Sequence, residues 1–460
     1  MENGLFKQSR HFEIWNKSEF TNQVLVFNRR KIQLNLKKCG KQERLSAYIV
    51  YIPLKIIQVN QPWVGSEPNN FHIRLSNLVI FEPNICHIQL MATYNWQQQD
   101  WPRFKFSLDG VEDDLLIFSE KLGRVSGILE GLPEETKQDV TIDIILAEAI
   151  KTSEIEGEYP SRKEVLSSIR KNLGLHHSPE HIKDQSAAGL GELMIDVRKT
   201  FKETLTEAKL FAWHRMILRE NKKMELGQWR THEEPMQVIS GALGKQKVHY
   251  EAPPSSKVPK EMKRYIQWFN STGPGGKNEI KKAPVRAAIA HLYFETVHPF
   301  EDGNGRIGRA IAEKALSQTI GRPVMLSLSR TIEAKKNVYY QALEKAQHSN
   351  EITPWMKYFI RTTLDAQIET ETQIEFTLRK TRFFDQFKDQ LNDRQLAVIK
   401  RMLDEGPKGF EGGMNARKYI GITKTSKATA TRDMQQLLEI GAFVPAGKAG
   451  GRSTSYQLNI

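Results

Sequence analysis

The chain has 460 residues, 39% of them hydrophobic, and a formal net charge of +13. Its length allows roughly two to four domains, and its longest apolar stretch, around residues 47–54, is too short to cross a bilayer. No signal-peptide pattern opens the chain, and Cys39 and Cys86 do not make a disulfide framework, so we expect a soluble, cytoplasmic protein without membrane contact. The positive charge favours an acidic partner, which could be a nucleotide, a nucleic acid or an acidic protein.

Residues 1–90 have an unusual composition, with no aspartate, a single alanine and short β-prone runs such as residues 48–52. The character of the sequence changes at Met91. Two hypotheses are open: Met91 is the native start and residues 1–90 come from a mis-assigned upstream reading frame, or these residues are a genuine accessory β-rich region. The intact mass in the native host separates them, because 52.9 kDa, the mass of the full chain, rules out the late start.

From Leu115 onward apolar residues recur mainly at helical spacing, and we predict a mainly α fold. Helices are predicted near residues 112–130, 135–156, 160–172, 185–206, 207–220, 259–271, 283–298, 304–319, 330–347 and 352–369.

Several histidines lie outside any recognisable site. Trp213 and His214 fall in the middle of a predicted helix, and we expect both in the core rather than in a catalytic site. A polar stretch that we interpret as a solvated loop, rather than a metal site, contains His176, His177 and His181.

One predicted helix ends with acids where acids are unfavourable. Glu154 and Glu156 lie at its C-terminus, before Gly157 as a plausible C-cap. The helix dipole disfavours carboxylates there, so we expect a cationic partner, the alternative being a solvated acidic turn. Farther along, residues 236–250 hold two β-prone runs around a glycine-containing turn and predict a hairpin.

Residues 298–309 read His-Pro-Phe-Glu-Asp-Gly-Asn-Gly-Arg-Ile-Gly-Arg and combine the groups that phosphoryl or nucleotidyl transfer requires. His298 ends a predicted helix, because Pro299 cannot continue it, and can take a proton from a hydroxyl. Gly303 and Gly305 allow a tight turn and a close approach to a ligand. The chain has no Walker-type loop and no His-Glu-x-x-His zinc pattern.

A second helix is predicted to start near Asn304, and its free N–H groups and positive dipole end form an anion site. Arg306 and Arg309 lie three residues apart on one face and can grip phosphate oxygens. Asp302 is placed to hold a Mg²⁺ ion that bridges phosphates, and Glu301 is the alternative. The competing interpretation is a capping turn beside a solvated arginine pair.

The segment matches every fixed position of the Fic signature, His-Pro-Phe-x-Asp/Glu-Gly-Asn-Gly-Arg-x-x-Arg, and roughly residues 91–375 resemble the Fic family. Fic proteins mostly transfer AMP from ATP to a serine, threonine or tyrosine hydroxyl of a protein. The resemblance implies a Fic-type helical bundle that uses ATP and Mg²⁺. The roles it implies are general base for His298, metal ligand for Asp302, α-phosphate contacts for Gly303, Asn304 and Gly305, and β- and γ-phosphate contacts for Arg306 and Arg309.

Residues 152–157, Thr-Ser-Glu-Ile-Glu-Gly, fit the inhibitory pattern Ser/Thr-x-x-x-Glu-Gly/Asn of such proteins. The resemblance implies that Glu156 pairs with Arg309 and blocks the γ-phosphate. It also implies that the hairpin lies over the active site and pairs with the target's backbone. We therefore predict an autoinhibited protein adenylyltransferase. The alternatives are an enzyme that removes AMP from a modified target and a nucleotide-sensing, DNA-binding transcriptional regulator, and Fic proteins frequently form homodimers.

The C-terminal part of the chain has a different pattern. Residues 371–390 mix acids and bases and are predicted to be a solvated helical linker. Three helices followed by a glycine-rich hairpin in residues 391–460 are typical of a winged helix, and resemble the winged helix-turn-helix domains of many Fic proteins. The full prediction divides the chain into five parts. Residues 1–90 are an atypical region, residues 91–175 a module with the inhibitory helix, and residues 176–370 the catalytic domain. Residues 371–390 are the linker and residues 391–460 the winged helix.

Lysine and arginine outnumber acids by 11 to 6 in residues 391–460, which is compatible with DNA binding. Docking or dimerisation through protein contacts is the alternative. The contacts expected with DNA are Lys427, Thr429 and Arg432 on the recognition helix and Lys448 and Arg452 on the wing.

Overall fold

The computed structural model describes residues 94–175, 184–219, 224–240, 247–446 and 454–460, together with the backbone of seven short strands within the first 93 residues. The chain forms two compact units, Met1–Gln99 and Asp100–Ile460.

The first unit contains short β-strands, in keeping with the β-prone runs in its sequence. They are β1 (His11–Ile14), β2 (Gln23–Leu25), β3 (Gln33–Lys38), β4 (Lys41–Leu45), β5 (Ile57–Val59), β6 (His72–Arg74) and β7 (Leu78–Ile80). One sheet has the order β1-β3-β4, with β1 parallel to β3, and the pairs β2-β5 and β6-β7 are antiparallel. Residues 48–52 and Met91 lie outside the described residues.

The second unit is mainly helical, as predicted. Its helices are α1 (Glu112–Glu130), α2 (Glu134–Ile155), α3 (Arg162–Asn172), α4 (Gln185–Lys199), α5 (Glu207–Ile217), α6 (Val258–Ser271), α7 (Ala283–Val297), α8 (Asn304–Ile320), α9 (Leu328–Ala334), α10 (Lys336–Ala346), α11 (Thr353–Phe387), α12 (Asp393–Leu403), α13 (Ala416–Thr423) and α14 (Lys427–Glu439). Two antiparallel strand pairs accompany them: β8 (Gln237–Ser240) with β9 (Lys247–Glu251), and β10 (Phe443–Pro445) with β11 (Tyr456–Leu458). No helix in the described parts is long and apolar enough to span a membrane.

Helix α7 is the centre of the larger core, because every residue in it is buried. It packs against α6, α8 and α11. Its last turn ends at His298, which adopts a left-handed conformation with φ of 49° ahead of Pro299. Helix α8 begins after Gly303, whose φ of 82° also lies in the left-handed region. The chain between these two buried helices is therefore fixed at both ends.

The predicted linker is not a separate solvated helix. Residues 371–387 are the last part of the long helix α11, and Lys388–Gln390 form a 3-10 turn after it. Glu371 is only 5% exposed, and Lys121 and Arg124 of α1 pair with its buried carboxylate. Three phenylalanines of the same stretch are buried: Phe376, Phe383 and Phe387. Their spacing of seven and four residues makes an apolar stripe that the many charges obscure in the sequence.

A second core holds the C-terminal helices together. It joins the end of α11 to α12, α13, α14 and β10. Asn392 caps α12 in a reciprocal capping box with Gln395. Asp433 of α14 accepts hydrogen bonds from Arg394 (2.8 Å) and from the Tyr419 hydroxyl (3.0 Å). Helices and strands thus follow in the predicted order, and the hairpin tip, residues 447–453, lies outside the described residues.

Candidate active site

The backbone around His298 is held by a buried arginine, Arg230. Its Nε donates to the His298 carbonyl oxygen (2.8 Å), and its backbone N–H donates to the Pro299 carbonyl oxygen (2.9 Å). Its remaining nitrogens donate to Ser255 Oγ (2.9 Å) and to the Pro253 carbonyl oxygen. Arg230 therefore fixes the left-handed turn at His298. Sequence reasoning missed it, because no local pattern marks an arginine 68 residues before its partner.

His298 is neutral in this setting. Its side chain is 16% exposed. Burial, reinforced by the nearby Arg230 cation, lowers the pKa of His298 to about 4. Its Nδ1 lies 3.8 Å from Glu295 Oε2. A neutral imidazole can accept a proton, as a general base must.

The turn that follows is ordered from within. Phe300 N–H donates to Asn304 Oδ1 (2.9 Å), and Asn304 Nδ2 donates back to the Phe300 carbonyl oxygen (2.8 Å). A Cβ on Gly303 would lie 2.8 Å from Ile217 Cδ1. The Asn304 side chain thus shapes the loop, and its contact with an α-phosphate stays a prediction.

Asp302 lies at the rim of this loop, with its side chain 49% exposed. Its Oδ1 accepts the Gly303 N–H (2.5 Å) and lies 3.6 Å from Arg306 Nη2. The alternative ligand, Glu301, faces His232 at 3.2 Å. Within the described residues no cluster of three or more histidine, cysteine or acidic side chains could hold a metal by itself. Asp302 thus lies beside Arg306 without a ready-made set of three metal-binding side chains among the described residues.

Arg309 and Glu156 are paired. Helix α2 ends at Ile155, so Glu156 is its C-cap. Arg309 Nη2 donates to Glu156 Oε1 (2.7 Å) and to the Thr152 carbonyl oxygen (2.7 Å), and Arg309 Nε donates to Thr152 Oγ1 (2.7 Å). Burial lowers the pKa of Arg309, but Glu156, together with Tyr339 and Glu295, outweighs burial and holds this pKa above its ordinary value. The cationic partner expected for Glu156 is therefore Arg309.

The close approach of Glu156 depends on Gly305. A Cβ at residue 305 would lie 2.2 Å from Glu156 Oε1 and 3.1 Å from Arg309 Nη1. The missing side chain leaves room for a carboxylate over the first turn of α8. An anionic ligand at the same helix terminus would need the same room.

A second carboxylate, Glu158, holds the other arginine. Its Oε2 lies 2.5 Å from Arg306 Nη1. Arg306 is 1% exposed, whereas Glu158 is 47% exposed. Burial raises the pKa of Glu158, and Arg306 opposes that shift. Glu158 lies 148 residues from Arg306 in the chain and matches no motif, so no sequence pattern marks this pairing.

Both arginines keep donors to spare. Arg306 Nε and Nη2 and Arg309 Nη1 are buried and find no hydrogen-bond partner within the part of the chain that the structure describes. The N-cap residue of α8, Gly303, makes no side-chain hydrogen bond to the helix N-terminus. Unused guanidinium N–H groups beside a positive helix terminus suit a ligand with several negatively charged oxygens.

The predicted hairpin is present as the antiparallel pair β8 and β9. The Tyr250 hydroxyl donates to the Thr296 carbonyl oxygen (2.6 Å), which ties β9 to α7 two residues before His298. His249 Nδ1 lies 2.9 Å from Glu344 Oε2 of α10. Val238 and Ile239 of β8 are exposed, with an irregularity of pairing between them. The turn, residues 241–246, lies outside the described residues.

The residues predicted to contact DNA belong to the C-terminal part of the chain. Lys427 and Arg432 are exposed on α14, and the Thr429 N–H donates to the capping Ser426 Oγ (3.2 Å). Lys448 and Arg452 are not among the described residues, nor are His176, His177 and His181. His214 is buried and stacks on Phe300 with ring centroids 4.2 Å apart.

Two family models match this chain. Residues 204–316 match the Fic/DOC family, and residues 94–175 match a domain of unknown function, DUF4172. The Fic/DOC match covers the hairpin and the loop from His298 to Arg309. This match and the relatives below support the Fic family.

Relatives that match this chain carry the name protein adenylyltransferase. The chain is similar to protein adenylyltransferase Fic of Nematostella vectensis, with 26% identity over 208 residues, 44% of each chain. It is similar to protein adenylyltransferase fic-1 of Caenorhabditis elegans, with 29% identity over 146 residues, 32% of this chain and 24% of that one. It is similar to protein adenylyltransferase Fic of Drosophila yakuba, with 31% identity over 98 residues, 21% of this chain and 18% of that one. The chain spans less than half of the length of these relatives.

Two solved structures are also similar. A Fic family protein from Desulfovibrio desulfuricans has 20% identity and a TM-score of 0.44, over 78% of this chain and 98% of that one. A Fic domain containing signaling protein from Bacteroides thetaiotaomicron has 17% identity and a TM-score of 0.44, over 57% of this chain and 97% of that one.

Proposed function

We propose that this protein is an adenylyltransferase that transfers AMP from ATP to a hydroxyl side chain of a protein, and that Glu156 holds it inactive. The observation that carries the proposal is the geometry at Arg309. Arg309, which is expected to hold the γ-phosphate, is buried and already bound to Glu156 at 2.7 Å. Arg309 lies on α8, and the neutral His298 ends the preceding helix, α7.

The chemistry needs a base, an anion site and a means to neutralise phosphate charge. His298 serves as the base, and the N-terminus of α8 with Arg306 and Arg309 serves as the anion site. Asp302 would hold Mg²⁺, which supplies positive charge to the phosphates. A half-exposed single carboxylate fits that ion, because Mg²⁺ is usually held by one or two carboxylates together with substrate phosphates.

Inhibition follows from competition for one site. Glu156 brings negative charge to Arg309 and fills the space above Gly305, so ATP and Glu156 cannot use both at once. Activity then requires movement of the end of α2. The exposed edge of β8 is the surface proposed to pair with an extended segment of the target protein.

The reaction is tested by the position of the label in ATP. Glu156→Gly protein is incubated with Mg²⁺ and ATP labelled at either the α- or the γ-phosphate, alone and in lysate of the native host. AMP transfer predicts protein-bound label from α-labelled ATP only. Label from the γ-position would indicate a kinase, and label that persists in Glu156→Gly, His298→Ala would show that His298 is not the base.

A second reaction at this site is removal of AMP, in which Glu156 would position a water molecule. The half-buried Glu156 beside the anion site supports it, since its side chain is 31% exposed. Self-labelled Glu156→Gly protein is offered to the wild type. Release of AMP by the wild type and not by Glu156→Gly supports removal, and stable label in both excludes it.

The C-terminal module supports a separate proposal, DNA binding by a winged helix. Exposed Lys427 and Arg432 on α14 favour it. A DNA titration of the full chain at two salt concentrations tests it: affinity that falls steeply with salt, and falls less steeply in Lys427→Ala, supports phosphate contacts. Absence of binding at low salt favours protein docking. A homodimer and a cytoplasmic location stay predictions.

A further inference from the structure

A buried glutamate, Glu295, lies beside His298 and has no part in the site described above. It is on α7, one turn before His298, and is 4% exposed. Its Oε2 lies 3.8 Å from His298 Nδ1. Glu295 Oε1 and His298 Nδ1 are both buried without a hydrogen-bond partner among the residues described. The Glu295 carboxyl group thus lies beside His298 Nδ1 through Oε2, whereas its unpartnered oxygen, Oε1, lies on the side of Gly308.

The fold makes room for this carboxyl group. A Cβ on Gly308 would lie 2.2 Å from Glu295 Oε1 and 3.2 Å from His291 Cε1. Gly308 is inside α8, where glycine costs helix stability relative to alanine. The closeness of α7 and α8 here therefore requires a glycine, and the space gained is occupied by Glu295.

We propose that Glu295 is a positioning residue for His298: its carboxylate accepts the Nδ1–H of His298 and thereby leaves Nε2 free as the base. This inference rests on the proposed function. In the transfer step the target hydroxyl oxygen bonds to the α-phosphorus, the bond from that phosphorus to the pyrophosphate oxygen breaks, and the hydroxyl proton moves to His298 Nε2. The carboxylate stabilises the imidazolium that results. Catalytic hydrogen bonds are often long before substrate binds, which accommodates the gap of 3.8 Å.

The protonation state of Glu295 decides which tautomer it supports. Burial raises the pKa of Glu295 to about 8, Arg309 opposes this shift and Glu156 adds to it. A protonated Glu295 would donate to Nδ1 and leave the proton on Nε2, which is the wrong tautomer for a base. Several charged and titratable groups surround Glu295. They are Arg309 of α8, Glu156 at the end of α2, Tyr339 and Tyr340 of α10, Tyr265 of α6, and His291 and His298 on either side along the chain. Activity is thus expected to rise with pH as Glu295 ionises.

The test compares Glu295→Gln and Gly308→Ala, each in the Glu156→Gly background, with Glu313→Gln as the matched control. Glu313 of α8 is also a buried carboxylate, but it pairs with Arg198 (2.8 Å) and not with His298. We expect Glu295→Gln to lower kcat by at least about tenfold with little change in KM for ATP, and to remove the rise of kcat with pH. Gly308→Ala, which displaces the carboxylate and favours the helix, is expected to act in the same direction. Glu313→Gln is expected to keep the shape of the pH profile.

A second readout does not depend on activity. Nitrogen NMR of the histidine rings in the full chain reports which ring nitrogen carries the proton. The His298 signal is assigned by its absence from the double variant that carries Glu156→Gly and His298→Gln. We expect an Nδ1–H tautomer above pH 8 in Glu156→Gly and its loss in Glu295→Gln. An unchanged tautomer, or an unchanged kcat and pH profile, overturns the role of Glu295. If Glu156→Gly transfers no label at all, the proposed function fails, and the tautomer still tests the Glu295–His298 contact.

Discussion

Two buried cations, Arg306 and Arg309, each hold a carboxylate from the segment that follows α2. The two pairs differ in exposure: Glu156 is 31% exposed and Glu158 is 47% exposed. Charge pairs closer to solvent contribute less, because water screens them. Glu158 is therefore expected to be the weaker of two barriers to an anionic ligand.

We predict that Glu158→Gln binds ATP roughly twofold to fivefold more tightly than the wild type, because Arg306 gains a free donor for phosphate oxygen. Calorimetric titration with ATP and Mg²⁺ measures this. Glu154→Gln is the matched control, since that nearby glutamate pairs with Lys151 rather than with a site arginine. Equal affinity for Glu158→Gln and the control would show that Glu158 does not restrict the site.

Single residues of the site were predictable where a local pattern marks them. His298 precedes a proline, and Glu156 stands against a helix dipole, so both stand out in the sequence. Arg230, Glu158 and Glu295 do not, because their roles come from contacts that only the packing of α2, α7 and α8 creates. A buried Glu295 has no sequence signature that separates it from an exposed helix glutamate.

At the scale of an element, α2 is held against α9 by one buried carboxylate. Glu148 Oε2 accepts hydrogen bonds from Ser327 Oγ (2.9 Å) and from the Ser329 N–H (2.8 Å), and Oε1 accepts from Ser329 Oγ. These donors belong to the N-terminus of α9, where a negative charge is favourable. Glu148 therefore anchors the helix that presents Glu156.

We predict that Glu148→Gln lowers the free energy of unfolding by about 1.5–3 kcal/mol, because hydrogen bonds to a buried charge are lost. The same change is expected to raise self-labelling from ATP, since α2 is less firmly held. Thermal unfolding and label incorporation measure the two effects. Glu135→Gln, at the exposed first turn of α2, is the control. A less stable variant with unchanged labelling would separate the anchor from the inhibition.

Element boundaries were predictable where caps are local. Pro299 and Gly303 mark the end of α7 and the start of α8, and both lie where predicted. The helix predicted near residues 330–347 is instead two helices, α9 and α10, because Lys335 leaves the helical region with φ of −136° and ψ of 40°. No glycine or proline marks that break. The length of α11 also escaped prediction, because its buried apolar residues pack into three different cores along the helix.

At the scale of the whole molecule, buried neutral histidines make stability depend on pH. Burial lowers the pKa of His214 to about 4 and of His291 to about 3. Below the unfolded value of about 6.5 the unfolded chain binds protons that the folded chain does not. The stabilisation is therefore complete above pH 6.5 and is lost as pH falls toward these folded values. Glu295 has the opposite effect: because its pKa is raised to about 8 in the folded chain, its contribution to stability falls as pH rises from its unfolded pKa to about 8.

Comparing wild type with His291→Gln isolates the effect of His291 on the pH dependence of stability, because both proteins contain Glu295. Glutamine can keep the hydrogen bond that joins His291 Nε2 to the Tyr339 hydroxyl (2.9 Å). We predict that the difference in the free energy of unfolding between wild type and His291→Gln narrows by up to about 1.4 kcal/mol per pH unit as pH falls from 7 to 5. The difference in Tm narrows with it. Thermal unfolding over this range measures it, and a constant difference would contradict the assignment.

The mainly helical fold was predictable from apolar spacing. The basic C-terminal module was also visible as a change of pattern, since its helix caps and apolar positions are local features. Its partner was not, because exposed Lys427 and Arg432 suit DNA phosphate and an acidic protein equally well.

We propose that Glu156 keeps this protein inactive by occupying Arg309. The most direct measurement is the initial rate of self-labelling from α-labelled ATP in wild type and Glu156→Gly, at equal protein and Mg²⁺ concentrations. If Glu156 opposes productive ATP binding by the free energy typical of coupled sites, its removal raises the rate about 5- to 150-fold in Glu156→Gly. Equal rates in the two proteins would contradict the claim.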